Sequence, residues 1–300
     1  MADPTIKTDT ILDALVAGKR EALAAQRAIE PLHDLVERAN AALLPRALAP
    51  ALRGEYVRVI AEIKRASPAA GMLAEVFDPS ERAASYVRGG AAAISVLTEE
   101  QRFLGRLSDL TAVRHALDED IGAGSIASER PPILRKDFLF DPYQIYEARA
   151  AGADAVLLIV MLLEQEALCE LHALASSLSL SVIVEVHDER EAERAARAGA
   201  SIVGINNRDL RTFATSLDVT ERVRPALPDD CVVVSESGIH DRADVERLAR
   251  STIDAILVGE ALMRSGDVAE SVRVLASVPR GGALQKQGAV RAAGASGGRS

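Results

Sequence analysis

Residues 149–160 read RAAGADAVLLIV, and this stretch decides the fold class. Its first half ends a helix-like segment at Gly152, a residue suited to the left-handed conformation that terminates many helices. Its second half is a run of apolar and β-branched residues, which is typical of a strand buried on both faces of a parallel sheet. The stretch therefore predicts the passage from a helix into a parallel strand.

The same pattern recurs along the chain, as in VRGGAAAISVLT (87–98), RAGASIVGIN (197–206) and LARSTIDAILVG (248–259). Counting runs of this kind gives eight predicted strands. They lie at 57–64, 91–97, 132–136, 154–160, 181–187, 201–206, 231–236 and 254–259.

Amphipathic segments separate the predicted strands, and several of them begin with Asp, a preferred residue at helix starts. Examples are DPSERAASYVR (78–88), DPYQIYEARAA (141–151) and DEREAERAARA (188–198). Eight βα units in one chain predict a closed (β/α)₈ TIM barrel of the α/β class, which we place at residues 46–278. The alternative is a doubly wound open sheet, but the Gly-rich turn that usually follows its first strand is missing.

Two segments lie outside the predicted barrel. Residues 1–45 contain two helix-like stretches, ILDALVAGKREALAAQRA and LHDLVERANAALL, and predict an N-terminal helical extension of the barrel. Residues 279–300 are rich in Gly, Ala and Ser and contain no acid, so we predict a disordered tail.

Composition limits the partners and the location. The chain has 300 residues, 48% of them hydrophobic, and a net charge of −9, which argues against nucleic acid or an anionic membrane as a partner. No secretory signal or membrane-spanning run is recognisable. Cys169 and Cys231 show no metal or redox spacing and fit a reducing compartment, so we expect a cytoplasmic protein without a metal site.

Charged residues end the first predicted strand, which reads RVIAEIK at 58–64. Residues two apart share one face of a strand, so Glu62 and Lys64 point the same way at its C-terminal end. Active sites of (β/α)₈ barrels lie at that end. Further strands end there with Lys136 and Phe138, Glu185, Asn206 and Arg208, Glu236 and Ser237 with Gly238, and Gly259 with Glu260.

Several of these residues have alternative interpretations. A single Glu at a strand end is usually solvated, but Glu62, Lys136 and Glu185 each follow an apolar strand at the same depth, which favours a polar site. Arg135 alternates to the helix-facing side and is expected to form a structural ion pair. For Arg208 a structural ion pair and a role in the site are equally open. His187 shares a face with Glu185, and we favour a supporting or rim position for it over catalysis.

The ends of the last two predicted strands favour an anion site. Gly238 and Gly259 allow backbone N–H groups to approach an anion closely, and the helix that follows each adds its positive end. The loops after these two strands are where barrels of this kind frequently bind phosphate.

Seven segments together resemble the indole-3-glycerol phosphate synthase family, in order and at matching spacing over about residues 8 to 275. They are VIAEIKRASPAAG, ISVLTEEQRFLG, ILRKDFLFDPYQIYEARAAGADAVLLIV, VEVHDE, GINNRDLRTF, SESGI and LVGEALM. The resemblance implies a barrel with an extra N-terminal helical segment near the rim. It also implies conversion of 1-(2-carboxyphenylamino)-1-deoxyribulose 5-phosphate into indole-3-glycerol phosphate, CO₂ and water, without a cofactor.

The resemblance also implies roles for individual residues. Lys136 matches the general acid and Glu185 a base, while Glu62 and Lys64 complete the catalytic set, with the division of proton transfers between the two lysines left open. Substrate contacts are expected from Ser67, Phe103, Phe138, Asn206, Arg208, Leu210, Glu236 and Ser237. Phosphate contacts are expected from Lys64, Ser237, Gly238, Gly259 and Glu260. Glu260 departs from several relatives, which have Ser there, so we expect its carboxylate to point away from the phosphate.

Burial beside positive charge would lower the pKa of Lys136, whereas Glu62 nearby would keep it protonated. Two other functions are open: a phosphoribosyl isomerase on the same fold, and a non-catalytic barrel that serves as a pathway partner. Paired aspartates expected of the isomerase are absent at the first and fifth strands. A phosphorylated small molecule is the expected partner, and the expected state is a monomer or weak homo-oligomer.

Overall fold

The computed structural model describes residues 3–8, 10–67, 71–73, 77–122 and 129–281. Eight parallel strands form a closed barrel in which each strand pairs with its neighbour in the chain. The last strand closes on the first, with Arg58 opposite Ala255. The strands are β1 Arg58–Ile63, β2 Ala93–Leu97, β3 Ile133–Lys136, β4 Ala155–Ile159, β5 Ser181–Val186, β6 Ile202–Asn206, β7 Val232–Glu236 and β8 Ala255–Val258.

Each observed strand lies inside one of the eight predicted runs, so the (β/α)₈ barrel is confirmed. The helices are α1 Ile11–Ile29, α2 Leu32–Ala41, α3 Leu48–Leu52, α4 Pro79–Arg88, α5 Leu107–Gly122, α6 Pro142–Ala150, α7 Gln165–Ser177, α8 Glu189–Arg197, α9 Asp218–Val223, α10 Arg242–Ala249, α11 Glu260–Met263 and α12 Val268–Ala276.

The local signals act as the sequence predicts. Asp78, Asp141 and Asp188 each accept a hydrogen bond from a backbone N–H in the first turn of the helix that follows. Gly152 has a φ of +89° and Gly199 one of +81°, the left-handed conformation that lets the chain leave a helix and enter a strand.

The N-terminal helices pack on the barrel. Within α1, Ile11, Leu12 and Leu15 line the cavity at the C-terminal end of the strands. The α2 helix packs against α6. Both helices lie inside the predicted extension, and the contacts of α1 show that it covers the mouth of the barrel.

Two small elements were not predicted. The α3 helix is only five residues long and contains Pro50, so it has too few turns to show a periodic pattern. Two short antiparallel strands, Ala66–Ser67 and Gly71–Met72, pair with each other just after β1.

The described chain continues past the predicted end of the barrel at residue 278. Pro279 bridges to Tyr56, and Arg280 forms an ion pair of 2.7 Å with Asp254. The remainder of the predicted tail, residues 282–300, lies outside the described residues. In the part of the chain that the structure describes, no helix is long and apolar enough to span a membrane.

Candidate active site

A cavity at the C-terminal end of the barrel strands contains every site residue predicted from the sequence. Its lining includes Glu62, Lys64, Ser67, Phe103, Lys136, Phe138, Glu185, Asn206, Arg208, Leu210, Glu236, Ser237, Gly238, Gly259 and Glu260. Five of these residues, Glu62, Lys136, Glu185, Asn206 and Glu236, lie in barrel strands on the face that lines the cavity, as the period of two predicts.

Lys136 lies between two buried carboxylates in the mouth of the barrel. Its Nζ is 3.1 Å from Glu185 Oε2 and 2.9 Å from Glu236 Oε2. Burial alone would lower the pKa of Lys136, but the charges of Glu185, Glu236 and Glu62 outweigh burial and raise it. The ammonium form is therefore the resting state, held mainly by acids other than the predicted Glu62.

A second pair lies at the end of β1, where Lys64 Nζ is 2.8 Å from Glu62 Oε1. Gly259 leaves room for this pair, because a Cβ there would lie 2.2 Å from Glu62 Oε1 and 3.0 Å from Lys64 Cε. Glycine at position 259 therefore gives the Glu62–Lys64 pair the space that it occupies.

Glu185 is held by partners on both oxygens. Asn206 Nδ2 donates to Oε1 at 3.0 Å while Lys136 donates to Oε2. Burial would raise the pKa of Glu185, but the charges of Lys136 and His187 and these hydrogen bonds lower it. Glu185 is therefore a carboxylate at neutral pH.

Glu236 differs from Glu185 in its hydrogen bonding. Its Oε1 is buried and has no hydrogen-bond partner among the described residues. Burial raises the pKa of Glu236 to about 7; Lys136 opposes this, whereas Glu185 adds to it. Of the two carboxylates around Lys136, Glu236 is the one that takes up a proton near neutral pH.

Apolar side chains also line the cavity. The rings of Phe103 and Phe138 lie 6.4 Å apart between centroids, with an angle of 42° between their planes. Leu157 and Ile159 of β4 extend the same lining. The cavity therefore combines apolar with charged side chains, as binding of an aromatic anion requires.

The cavity lining also contains Arg208 and two residues in the left-handed conformation. Arg208 donates to the Phe213 carbonyl at 3.1 Å and forms no ion pair with any described residue. Ser237 has a φ of +67° and Gly238 one of +75°. Glu260 forms an ion pair of 3.2 Å with Arg264, the residue that follows α11.

The predicted structural role of Arg135 is confirmed. Its guanidinium is buried, 3.1 Å from Asp137 and 2.7 Å from Glu147. Asp137 also binds Lys19 of α1 at 2.7 Å and accepts from Thr98 at 2.7 Å. Sequence reasoning missed this cluster, because no periodicity indicates a contact between Lys19 and a residue 118 positions away.

The barrel and its mouth define a class of protein: an enzyme that moves protons between side-chain acids and bases at the C-terminal rim of a (β/α)₈ barrel.

Comparison with known proteins identifies the family. The model of the indole-3-glycerol phosphate synthase family matches residues 12–275. An indole-3-glycerol phosphate synthase of Dehalococcoides mccartyi is 50% identical over 232 residues, covering 77% of this chain and 86% of the relative. One of Mycolicibacterium smegmatis is 48% identical over 263 residues, covering 88% and 92%. The chain belongs to the indole-3-glycerol phosphate synthase family.

Distant solved structures show the fold alone. A thiamine phosphate pyrophosphorylase of Pyrococcus furiosus is 18% identical with a TM-score of 0.54, covering 75% of this chain and 95% of its own. A lactate oxidase of Pediococcus acidilactici is 15% identical with a TM-score of 0.54, covering 84% and 81%.

The family carries the predicted activity, the carboxy-lyase reaction of tryptophan biosynthesis with the number EC 4.1.1.48. Neither the isomerase nor the non-catalytic barrel is favoured by these comparisons.

Proposed function

We propose that this cavity closes the indole ring of 1-(2-carboxyphenylamino)-1-deoxyribulose 5-phosphate by general acid–base catalysis, without a cofactor. The position of Lys136 between Glu185 and Glu236 supports this proposal most directly. Ring closure joins an aryl carbon to a ketone carbon, and the ketone oxygen must receive a proton as the bond forms. A protonated lysine at the cavity is the group for that step.

Lys136 is the proposed general acid. Its raised pKa keeps the proton on Nζ until the developing alkoxide of the substrate becomes a stronger acceptor than the amine. The two carboxylates fix Nζ in one position, so the proton is delivered with a defined geometry.

Glu185 is the proposed base of the later steps. After decarboxylation restores the aromatic ring, a proton must leave C1 or the aniline nitrogen so that the hydroxyl can depart as water. Glu185 is ionised and lies beside Lys136, and it can accept that proton. Glu236 orients Lys136 from the other side.

Lys64 is proposed to bind an anionic group of the substrate, either the carboxylate or the phosphate, while Glu62 holds it in place. Which proton transfers belong to Lys64 and which to Lys136 is decided by the experiment below. For the phosphate we propose the backbone N–H groups at Ser237, Gly238, Gly259 and Glu260, with Arg208 nearby.

The remaining contacts follow from the lining of the cavity. Phe103 and Phe138 are proposed to contact the aryl ring of the substrate, and Asn206 a sugar hydroxyl. Ser67 and Leu210 are proposed to complete the substrate envelope from two loops of the rim.

The experiment is a fluorescence assay for indole-3-glycerol phosphate with the purified protein and its Lys136→Ala, Lys64→Ala and Glu185→Gln variants. We expect Lys136→Ala to lose roughly 10²–10⁴-fold in kcat while a substrate analogue still binds. Glu185→Gln should lower kcat more than it raises KM. Turnover of Lys136→Ala within a few-fold of wild type would transfer the acid role to Lys64.

The same preparation tests the other proposals. Inactivity toward this substrate, with turnover of a phosphoribosyl isomerase substrate, would favour the alternative enzyme. We also propose a cytoplasmic location, for which fractionation of cells is the test, and a monomer or weak homo-oligomer, for which light scattering across protein concentrations is the test.

A further inference from the structure

His187 lies directly after β5 and, unlike Glu185 two positions before it, does not line the cavity. Glu191 of α8 accepts two contacts from it: the backbone N–H of His187 at 2.8 Å and the ring Nδ1 at 3.1 Å. The other ring nitrogen, Nε2, is 3.5 Å from Glu185 Oε1 and is otherwise without a partner among the described residues. The ring therefore lies between two carboxylates.

This arrangement restricts the charge state of the ring. Because Glu191 accepts at Nδ1, that nitrogen must carry a hydrogen. A neutral ring would then turn the lone pair of Nε2 toward the Glu185 carboxylate, and the two would repel. The imidazolium form has a hydrogen on each nitrogen and gives both carboxylates a donor.

The charges around His187 agree with the imidazolium form. Burial would lower the pKa of His187, but the hydrogen bond to Glu191 and the charges of Glu185, Glu191 and Glu236 raise it. Lys136 is the other cation beside Glu185, and it touches Oε2, whereas His187 faces Oε1.

We propose that His187, oriented by Glu191, is a positioning residue that keeps Glu185 ionised after Lys136 has given its proton to the substrate. This inference rests on the proposed roles of Lys136 as acid and Glu185 as base. In the resting enzyme two cations stabilise the carboxylate of Glu185. Once the proton of Nζ moves to the ketone oxygen, Lys136 is a neutral amine and its attraction for Glu185 is lost.

The proton balance of the step is simple. One proton leaves Lys136 for the substrate oxygen. Glu185 later accepts one proton from C1 or the aniline nitrogen of the substrate and returns it to the departing hydroxyl, which leaves as water, and Lys136 regains a proton from solvent. His187 keeps both of its protons throughout, so it contributes charge and orientation. Without this cation, Glu185 could recover a proton from water or Glu236 before its own step, and the base would be lost.

A purely structural role for His187 predicts different behaviour. Glu191 also accepts the backbone N–H of residue 187, a bond that closes the turn between β5 and α8 whatever side chain is present. His187→Gln keeps that bond and a neutral donor, and removes only the charge. The variant therefore separates the electrostatic role from the structural one.

The test measures kcat and KM from pH 5.5 to 9 for wild type, His187→Gln, Glu191→Gln and the control His115→Gln, whose imidazole is exposed on α5. We expect the acid limb of kcat to move up by about 1 pH unit in His187→Gln, since one nearby opposite charge shifts a carboxylate pKa by about 1–3 units. At a pH on the acid limb, kcat of His187→Gln should therefore be about tenfold lower than that of wild type, with KM unchanged. Glu191→Gln should shift the limb in the same direction, and His115→Gln should match wild type.

A superimposable pH profile for His187→Gln would overturn the inference, and so would a loss of kcat by the same factor at every pH. Glu185→Gln, assayed alongside, separates the two levels: if it turns over normally, the proposed base is wrong. If it is inactive while His187→Gln keeps the wild-type profile, the inference about His187 alone fails. Should His187→Gln not fold, NMR of ¹⁵N-labelled imidazole in wild type decides, because a neutral His187 at pH 7 contradicts the proposal.

Discussion

Replacing Gly204 by Ala should lower the activity of the enzyme, because the new side chain would displace Glu236. Gly204 lies in β6 and is buried. A Cβ at this position would lie 2.1 Å from Glu236 Oε1 and 3.0 Å from Ile183 Cγ2. Real Cβ atoms essentially never come within 3.0 Å of such neighbours, so Glu236 must move.

The size of the effect follows from what Glu236 holds. Its other oxygen accepts from Lys136 at 2.9 Å, and a hydrogen bond to a charged group contributes about 1.5–3 kcal/mol. If the displaced carboxylate loses this bond in the transition state, kcat/KM should fall by about 10- to 150-fold. Overpacking of the buried wall should cost about 1–3 kcal/mol of unfolding free energy.

The assay is steady-state kinetics together with thermal unfolding, so that loss of activity is separated from loss of fold. Gly266→Ala is the matched control, because a Cβ there would meet nothing within 4 Å, and it should behave as wild type. A folded Gly204→Ala variant with wild-type kcat/KM would refute the reasoning, since it would show that Glu236 can move without consequence for Lys136.

Four further changes are expected. The pKa of Glu236 is about 7 in the folded protein and 4.5 ordinarily, so its contribution to the unfolding free energy falls by about 1.4 kcal/mol per pH unit as the pH rises between these values. Urea unfolding should therefore show wild type losing stability relative to Glu236→Gln from pH 4.5 to 7, and a constant difference between the two would contradict this. Calorimetry in buffers of different ionisation enthalpy should show proton uptake when wild type binds an anionic substrate analogue near pH 7.5, and less uptake in Glu236→Gln; equal uptake would exclude Glu236 as the acceptor. Gly238→Val should raise KM steeply and abolish thermal stabilisation by inorganic phosphate, whereas Glu260→Ser should change little because Arg264 already binds that carboxylate; a phosphate response retained in Gly238→Val would place the anion elsewhere. Lys19→Ala should cost about 1–3 kcal/mol of unfolding free energy and raise KM, whereas Arg27→Ala, which removes a more exposed pair with Asp141, should cost about 0–1 kcal/mol; equal costs would mean that Lys19 does not fasten α1 to the barrel.

The sequence was sufficient for the barrel because its repeat is local. Each strand is a short apolar run preceded by a turn, and these two signals are adjacent in the chain. The rim charges were predictable for the same reason: Glu62 and Lys64 differ by two positions, and a period of two places them on one face.

What the sequence left open depends on contacts between distant segments. Nothing local indicates that Lys19 reaches Asp137, or that Lys136 is held by Glu185 and Glu236 more than by Glu62. The direction of the pKa shift of Lys136 was undecided for this reason, since burial and nearby acids act in opposite directions and only their distances settle the balance. One signal was available: Gly204 inside a strand indicates close approach of another group, which proves to be Glu236.

The carboxylates of the site have a chemical counterpart in the reaction. Glu62 pairs with the ammonium of Lys64, Glu185 and Glu236 pair with that of Lys136, and the substrate adds a carboxylate and a phosphate. Each added anion favours protonation of the carboxylate that is easiest to neutralise, which is Glu236, since burial has already raised its pKa to about 7. The proposed reaction consumes one proton, because the substrate carboxylate leaves as neutral CO₂ while the ketone oxygen leaves as water. Binding of the substrate would therefore bring a proton to Glu236, beside the lysine that must be recharged in each turnover, and the calorimetric comparison with Glu236→Gln measures that coupling.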